Sequence, residues 1–286
     1  MTRRGFIGPA LAALTAACAL RLLNDLGPRD LGGRRVARDL AYGGHPRQKL
    51  DVFAPVAPPP DARGWPIVVF FYGGGWDSGS RRDYAWAAQA LAAQGFVVAL
   101  PDYRLVPEVR FPTFVEDAAA ATAWAGAHLA DHGGDPTRLA VAGHSAGAHL
   151  ALMITLDRCY MAAAGAPDLI KAAAGLAGPY EFLPFDVPAS INAFGRAPDP
   201  KATQPITFVR ADAPPIWLGH GTDDETVHAE DTILLSEALK AAGAPVEAKL
   251  YPGLNHADLI ATFSPLFRKK APVLADLSAF LHQALH

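Results

Sequence analysis

Two stretches of this sequence carry side chains and backbone suited to attack on a carbonyl. Gly143-His144-Ser145-Ala146-Gly147 has the spacing G-x-S-x-G, and it lies between the apolar run Leu139–Ala142 and an alanine-rich run that starts at Ala146. A strand, a sharp turn and a helix form the context that gives this pentapeptide meaning. The strained turn projects the serine hydroxyl from the edge of a sheet, and small residues two before and two after it let strand and helix approach. The start of the helix adds unpaired N–H groups and the positive end of the helix dipole. The bland alternative is a structural turn that merely contains a serine. The second stretch, Tyr72-Gly73-Gly74-Gly75-Trp76, follows the apolar run Ile67–Phe71. An oxyanion needs N–H donors about 2.7–3.1 Å away, and glycines let the backbone turn such donors inward. Gly74 and Gly75, with Ala146 after the nucleophile, are the expected donors. A phosphate loop is disfavoured, because no Gly-Lys-Ser/Thr follows and the spacing is not G-x-G-x-x-G.

A serine hydroxyl is a weak nucleophile and needs a base that is itself held by an acid. In a sheet of this kind the chain order is Ser, Asp or Glu, then His. Downstream, Asp223, Asp224 and Glu225 are adjacent within Gly221-Thr222-Asp223-Asp224-Glu225-Thr226-Val227. Asp224 stands three after Gly221 and three before Val227, where G-x-x-D-x-x-V puts the acid; it is preferred over Asp223, which then serves as a turn or cap residue. The expected base is His256, on a loop after Tyr251-Pro252-Gly253. Other histidines have ordinary explanations. His144 is the variable elbow residue, His149 lies in the following helix and His220 bonds locally in its turn. His228 starts a helix, and His282 and His286 are C-terminal.

The elements that must position these groups can be read from periodicity. Val36–Tyr42 and Lys49–Phe53 read as strands joined by a hairpin turn at Gly43-Gly44-His45-Pro46. Ile67–Phe71 is a continuous apolar run, as expected of a strand covered on both faces. Phe96–Leu100, Leu139–Ala142, Ala172–Leu176, Ile216–Leu218 and Val246–Tyr251 are further strands. Helices are expected over Tyr84–Gln94, from Pro112 to about His132, and over Ala146–Asp157, His228–Ala242 and Pro272–Ala284. In the His228 helix, Ile233, Leu234, Ala238 and Leu239 read as the apolar face. Strands that alternate with long helices imply an α/β domain: a mostly parallel twisted sheet with helices on both faces, and an antiparallel N-terminal edge. No linker divides residues 27–286, which read as one domain. The irregular, proline-rich stretch 182–213 reads as a short cap-like insertion, and the tentative pocket walls are Trp76, Tyr180, Phe182 and Phe185.

Composition narrows the classes. The chain has 286 residues, 51% of them hydrophobic, and a net charge of −3, which excludes a disordered chain. With 25 basic against 28 acidic residues there is no basic footprint for nucleic acid. The mean hydropathy of +0.13 then needs a source, and the N-terminus offers one. Arg3-Arg4-Gly5-Phe6-Ile7 resembles a twin-arginine export signal. The apolar run Phe6 to Leu20 is 15 residues long, shorter than the roughly 20 that span a bilayer. Residues 1–26 are therefore expected to be an export leader with an A-x-A-like site at Ala17-Cys18-Ala19, giving a periplasmic protein. Lipidation of Cys18 and an uncleaved anchor are the alternatives. No later stretch is apolar enough to span, so no stable membrane span is expected in the mature protein. Cutting after Ala19 would leave Cys159 as the only thiol and a net charge of −5, because the leader carries two arginines and no acid.

Together the residues resemble a family: α/β-hydrolase esterases of the acetyl-esterase and hormone-sensitive-lipase-like type, nearest the feruloyl-esterase-like and kynurenine-formamidase-like group. The shared features are Tyr42-Gly43, Leu50-Asp51-Val52, the glycine run, Asp102-Tyr103-Arg104-Leu105, the Ser145 elbow, Asp224 and His256. The resemblance implies an α/β-hydrolase fold and hydrolysis of a small-molecule ester, with Ser145 as nucleophile, His256 as base and Asp224 as its orienter. Gly74, Gly75 and Ala146 match the family's oxyanion donors, and no cofactor is implied. Asp102-Tyr103-Arg104 reads as structural support. One departure stands out: the family motif is usually His-Gly-Gly-Gly, and Tyr72 replaces that histidine, whose part is to brace the loop. An amidase, formamidase or peptidase of the same fold is the alternative. A non-catalytic binding protein and an interfacial lipase fit less well, because all three triad members are present and 182–213 is short for a lid. The sequence leaves the oligomeric state open.

Overall fold

The protein is described by a computed structural model over residues 27–286. The expected leader, with Arg3, Arg4 and Cys18, lies outside the described residues. Among them run eight strands: β1 (Gly33–Ala41), β2 (Lys49–Pro55), β3 (Trp65–Phe71), β4 (Val97–Pro101), β5 (Gly134–His144), β6 (Ile170–Leu176), β7 (Ile216–Gly221) and β8 (Val246–Tyr251). They form one sheet in the order β1-β2-β4-β3-β5-β6-β7-β8. β2 is antiparallel to both its neighbours, and every other pair is parallel. The antiparallel edge is where the hairpin signal lay. The central strands are buried on both faces, which is why β3 is a solid apolar run rather than an alternating one.

Among the described residues eight helices connect or flank these strands: α1 (Ala85–Ala93), α2 (Thr113–His128), α3 (Ala146–Leu156), α4 (Arg158–Ala163), α5 (Pro188–Phe194), α6 (Ala229–Ala242), α7 (His256–Ala261) and α8 (Val273–Ala284). α2 packs on α3. At the end of α1, the His282 ring of α8 stacks on Phe96 with ring centroids 4.4 Å apart. Small residues make the close layers possible: α3 is buried along its whole length. No helix among the described residues is long and apolar enough to cross a membrane.

Several expectations are corrected. The helix after Pro112 ends at His128, and residues 129–132 tighten into a 3-10 turn before Gly133, whose φ of 82° is left-handed. The stretch 182–213 is not irregular throughout: it holds α5 and two 3-10 turns, at 200–203 and 205–208. The largest correction concerns α6. Its buried residues are Thr232, Leu235, Ser236 and Leu239, while Ile233 and Leu234 are 38% and 42% exposed. The His220 ring on β7 hydrogen-bonds Thr232 Oγ1 at 2.8 Å, which fixes the rotation of the helix. At 100° per residue the face through 232, 235, 236 and 239 then turns inward and the two aliphatics turn out.

This rotation separates two leucines of one helix. Leu239→Ala is expected to cost about 2–5 kcal/mol in a denaturant unfolding curve. Leu234→Gln is expected to change stability by less than about 0.5 kcal/mol. Equal losses would put Leu234 back on the buried face.

Candidate active site

The parallel register brings the reactive segments together. Phe71 pairs with Gly143, so the glycine loop and the serine turn leave adjacent strands side by side. His144 pairs with Leu176, Leu176 with Gly219, and Gly221 with Tyr251. The Asp224 and His256 segments therefore leave β7 and β8 at the same edge. A site at the carboxyl ends of parallel strands is the usual outcome of this topology.

Ser145 has φ 56° and ψ −124°, a strained conformation that costs on the order of 1–3 kcal/mol. Packing imposes it. A Cβ on Gly143 would lie 2.2 Å from the Gly147 carbonyl oxygen, and one on Gly147 would lie 2.1 Å from the Phe71 oxygen. Strand and helix cross at contact distance, and the chain between them has no relaxed path. The Ser145 N–H donates to the Leu176 oxygen at 2.9 Å, while the Ser145 carbonyl accepts from Ala148 and His149 as α3 begins.

The glycine loop is similarly forced. Gly74 and Gly75 have φ of 144° and 58°, and Trp76 has φ of 61°. The N–H groups of Gly74 and Gly75 have no acceptor among the described residues, and that of Ala146 belongs to the first turn of α3, where no intrahelical acceptor exists. Tyr72, in place of the usual histidine, is buried and braces this loop from below. It stacks on Tyr103 at 4.7 Å, its carbonyl accepts from the Tyr103 hydroxyl, and its own hydroxyl accepts from Arg47 at 2.8 Å. Arg47 also donates to the Tyr103 and Gly79 carbonyls. Asp102 binds the buried Arg81 and Arg104 pairs with Asp117, so this stretch holds the scaffold together.

Asp224 and His256 meet: His256 Nδ1 lies 2.7 Å from Asp224 Oδ2. The same oxygen is 3.2 Å from His220 Nε2, and Asp224 Oδ1 accepts from the Thr226 and Val227 N–H groups at 2.9 and 3.0 Å. Burial pushes the Asp224 carboxyl upward, but the hydrogen bonds from His220, His256 and Val227 outweigh it and hold the group well below the usual carboxylate range. An ionised Asp224 keeps the proton of neutral His256 on Nδ1, which leaves Nε2 with a lone pair. Asp223, the rival acid, is exposed and accepts from the Thr222 hydroxyl within its turn. His256 does not sit on a loop, as expected, but is the first residue of α7, because the Asn255 side chain caps that helix by accepting from the Asp258 N–H. The His144 ring packs 4.8 Å from the His256 ring.

Of the expected pocket walls, Trp76, Phe182 and Phe185 join one aromatic cluster. Phe182 stacks on Trp76 at 5.9 Å and lies 5.9 Å from Phe185. Phe194 meets Trp76 edge-on at 4.7 Å, and Ala189 of α5 approaches the glycine loop, 3.4 Å from where a Cβ on Gly75 would stand. Tyr180 is not a wall. It is fully buried beneath β6, in space left by Gly175 and Gly178, where a Cβ would fall 2.0 and 2.6 Å from its hydroxyl oxygen. Sequence reasoning missed Phe111, Phe114, His149 and Phe194, which complete the cluster. His149 Nδ1 and Trp76 Nε1 are buried there without a hydrogen-bond partner, and burial pushes the His149 imidazole down to about 4, so it is neutral at neutral pH. Arg47, Arg81 and His220 were also missed as site supports. Only His220 left a signal, four residues before Asp224.

A protein-family profile described as BD-FAE matches residues 50–239. The chain belongs to the BD-FAE family. Among curated relatives, this BD-FAE protein is 32% identical to the carboxylesterase NlhH of Mycobacterium tuberculosis over 246 residues, 77% of this chain and 74% of that protein. It is 29% identical to a probable isoprenylcysteine alpha-carbonyl methylesterase of Oryza sativa subsp. japonica over 277 residues, 87% of this chain and 63% of that protein. The chain thus spans less than two thirds of the rice relative's length. The crystal structure of esterase B from Lactobacillus rhamnosis superposes with a TM-score of 0.80 at 20% identity, covering 96% of this chain and 94% of that one. Its likeness establishes the α/β-hydrolase fold for the BD-FAE chain.

The carboxylate of Asp224 makes stability depend on pH in a defined sense. Its folded value lies below the ordinary one of 3.8, so folding favours the ionised form. That contribution is full above the unfolded value of about 3.9 and is lost as the pH falls from there towards the folded value. Asp224→Asn is expected to flatten the fall of unfolding free energy below about pH 4, as read by thermal unfolding in buffers stepped through that range. A slope equal to that of the wild type would show that Asp224 is not held ionised.

Proposed function

We propose that this protein is a carboxylesterase that hydrolyses small carboxylic esters through an acyl-enzyme, with Ser145, His256 and Asp224 as its triad. The observation that carries the proposal is the 2.7 Å contact from His256 Nδ1 to a buried, ionised Asp224, at the sheet edge where the strained Ser145 turn emerges. In this mechanism His256 Nε2 takes the Ser145 proton as Oγ attacks the ester carbonyl. The oxyanion settles on the N–H groups of Gly74, Gly75 and Ala146, whose lack of intramolecular acceptors suits that task. His256 then returns the proton to the leaving alcohol. Water enters, His256 again acts as base, and the acid is released. Asp224 fixes the His256 tautomer and stabilises the imidazolium that forms twice per cycle. The aromatic cluster around Trp76 and Phe182 suits the apolar part of an ester. The names of the curated relatives, a carboxylesterase and a methylesterase, support an ester bond over an amide.

A fluorophosphonate probe is expected to label the wild type and not Ser145→Ala. Hydrolysis of a short p-nitrophenyl ester is expected to fall by on the order of 10⁴-fold or more in that variant. N-formylkynurenine, assayed beside the ester, separates the formamidase alternative: faster turnover of the formamide would replace the esterase assignment, and an unlabelled wild type would end both.

A further inference from the structure

We propose that His144 and Tyr84 are positioning residues that tie the oxyanion loop to the segment carrying the base, through a buried, one-directional chain of two hydrogen bonds against which Gly73 packs. The proposal rests on the esterase reading of the same site and adds two residues that this reading does not use. The Tyr84 hydroxyl oxygen lies 2.9 Å from His144 Nδ1, and His144 Nε2 lies 3.1 Å from the main-chain carbonyl oxygen of His256. Gly73 leaves β3 against this pair: a Cβ on it would stand 3.0 Å from His144 Nδ1. Gly73, Tyr84 and His144 are all buried, so solvent does not compete for these bonds.

The direction of the chain is fixed from its far end. A carbonyl oxygen only accepts, so His144 Nε2 carries the hydrogen. In a neutral imidazole the other nitrogen then holds a lone pair, so the Tyr84 hydroxyl must donate to Nδ1. His144 stays neutral over the working range, because burial and the neighbouring His256 push it down to about 3, with Asp224 opposing and His220 adding to the effect. Burial likewise keeps the Tyr84 phenol protonated. One tautomer and one rotor orientation satisfy all the partners.

This arrangement does more than fill space. Tyr84 packs against Phe70 and Tyr72, a setting in which an apolar ring would avoid the cost of burying polar atoms. The polar pair instead spans two loops that leave different strands, β3 and β8. At one end the His144 ring fills the space that a Cβ on Gly73 would need, so the glycine loop leaves β3 resting on the ring. At the other end the bond to the His256 carbonyl holds the backbone at the start of α7. A shift of either loop would disturb the pair between them, so the oxyanion donors and the base keep a common reference.

The test uses Tyr84→Phe, His144→Met, the double variant and His144→Gln, whose amide keeps one donor and one acceptor. With a short p-nitrophenyl ester, each of the first two is expected to lower kcat by about tenfold or more while KM changes by less than about twofold. The double variant is expected to be no worse than the poorer single one, because a chain cut twice is broken once. His144→Gln is expected to recover most of kcat. Losses that multiply in the double variant, or a glutamine variant no better than the methionine one, would overturn the proposal. A second measurement does not depend on turnover or on how the variants fold. Nitrogen-15 NMR of histidine-labelled wild type is expected to show His144 neutral and protonated on Nε2 from pH 5 to 8. A protonated His144, or one carrying its hydrogen on Nδ1, would also overturn it. A wild type that shows this tautomer but hydrolyses no ester would instead remove the esterase reading and leave the hydrogen-bond chain standing.

Discussion

Helix α3 packs so closely on β5 and on the end of β3 that neither Gly143 nor Gly147 has room for a Cβ, and much of the candidate active edge follows from that packing. The chain must reverse within one residue, so Ser145 takes a left-handed conformation that L-residues avoid. The helix must begin immediately afterwards, so the N–H of Ala146 is left without an intrahelical acceptor beside the serine. The helix must also lie flat on the sheet, which is why it is built largely of alanine, glycine and aliphatic residues and buried throughout. The strain is local, and the hydrogen-bonded ladders of β3, β5 and β6 on either side hold it in place.

The proposed acid and base are held in a different way. Three donors converge on the two oxygens of Asp224, and His220 Nε2, which bonds the Val227 carbonyl, stands 3.2 Å away. His220 and the turn after β7 thus fix the orienter before His256 is considered. The glycine loop has a separate scaffold in Tyr72, Tyr103 and Arg47. A tyrosine in place of the family's histidine keeps the brace because its ring stacks and its hydroxyl finds an arginine. Strain at Ser145, charge convergence at Asp224 and aromatic bracing at Tyr72 are three distinct physical devices that converge on one sheet edge.

Chemistry that depends on chain order and local turn geometry was readable in the sequence. G-x-S-x-G on a strand and helix, an acid three residues after Gly221, and a histidine after the last strand each carry their own local signal, and the parallel sheet follows from alternation. What was not readable depends on partners distant in the chain. The rotation of α6 is fixed by His220, twelve residues before Thr232, and hydropathy alone chose the wrong face. Tyr180 looked like a pocket wall because its neighbours are aromatic, yet the room for its ring comes from two glycines upstream. Phe111 and Phe114, at the start of α2, and Phe194, at the end of α5, reach the cluster from two segments far apart in the chain. Tyr84 and His144 are sixty residues apart, and neither stands in a motif that announces the other.

The placement of β8 beside β7 has a consequence for the birth of the protein. The proposed nucleophile, its strained turn, the glycine loop and the proposed orienting acid all lie at or before Asp224. The base lies beyond β8, the last strand of the sheet, and its carbonyl is what His144 reaches for. A ribosome-bound chain that has emerged only through β7 can lay down most of the sheet and still hold an unactivated serine. In the proposed mechanism reactivity thus waits on completion of the sheet, and a chain stopped at β7 would lack the base.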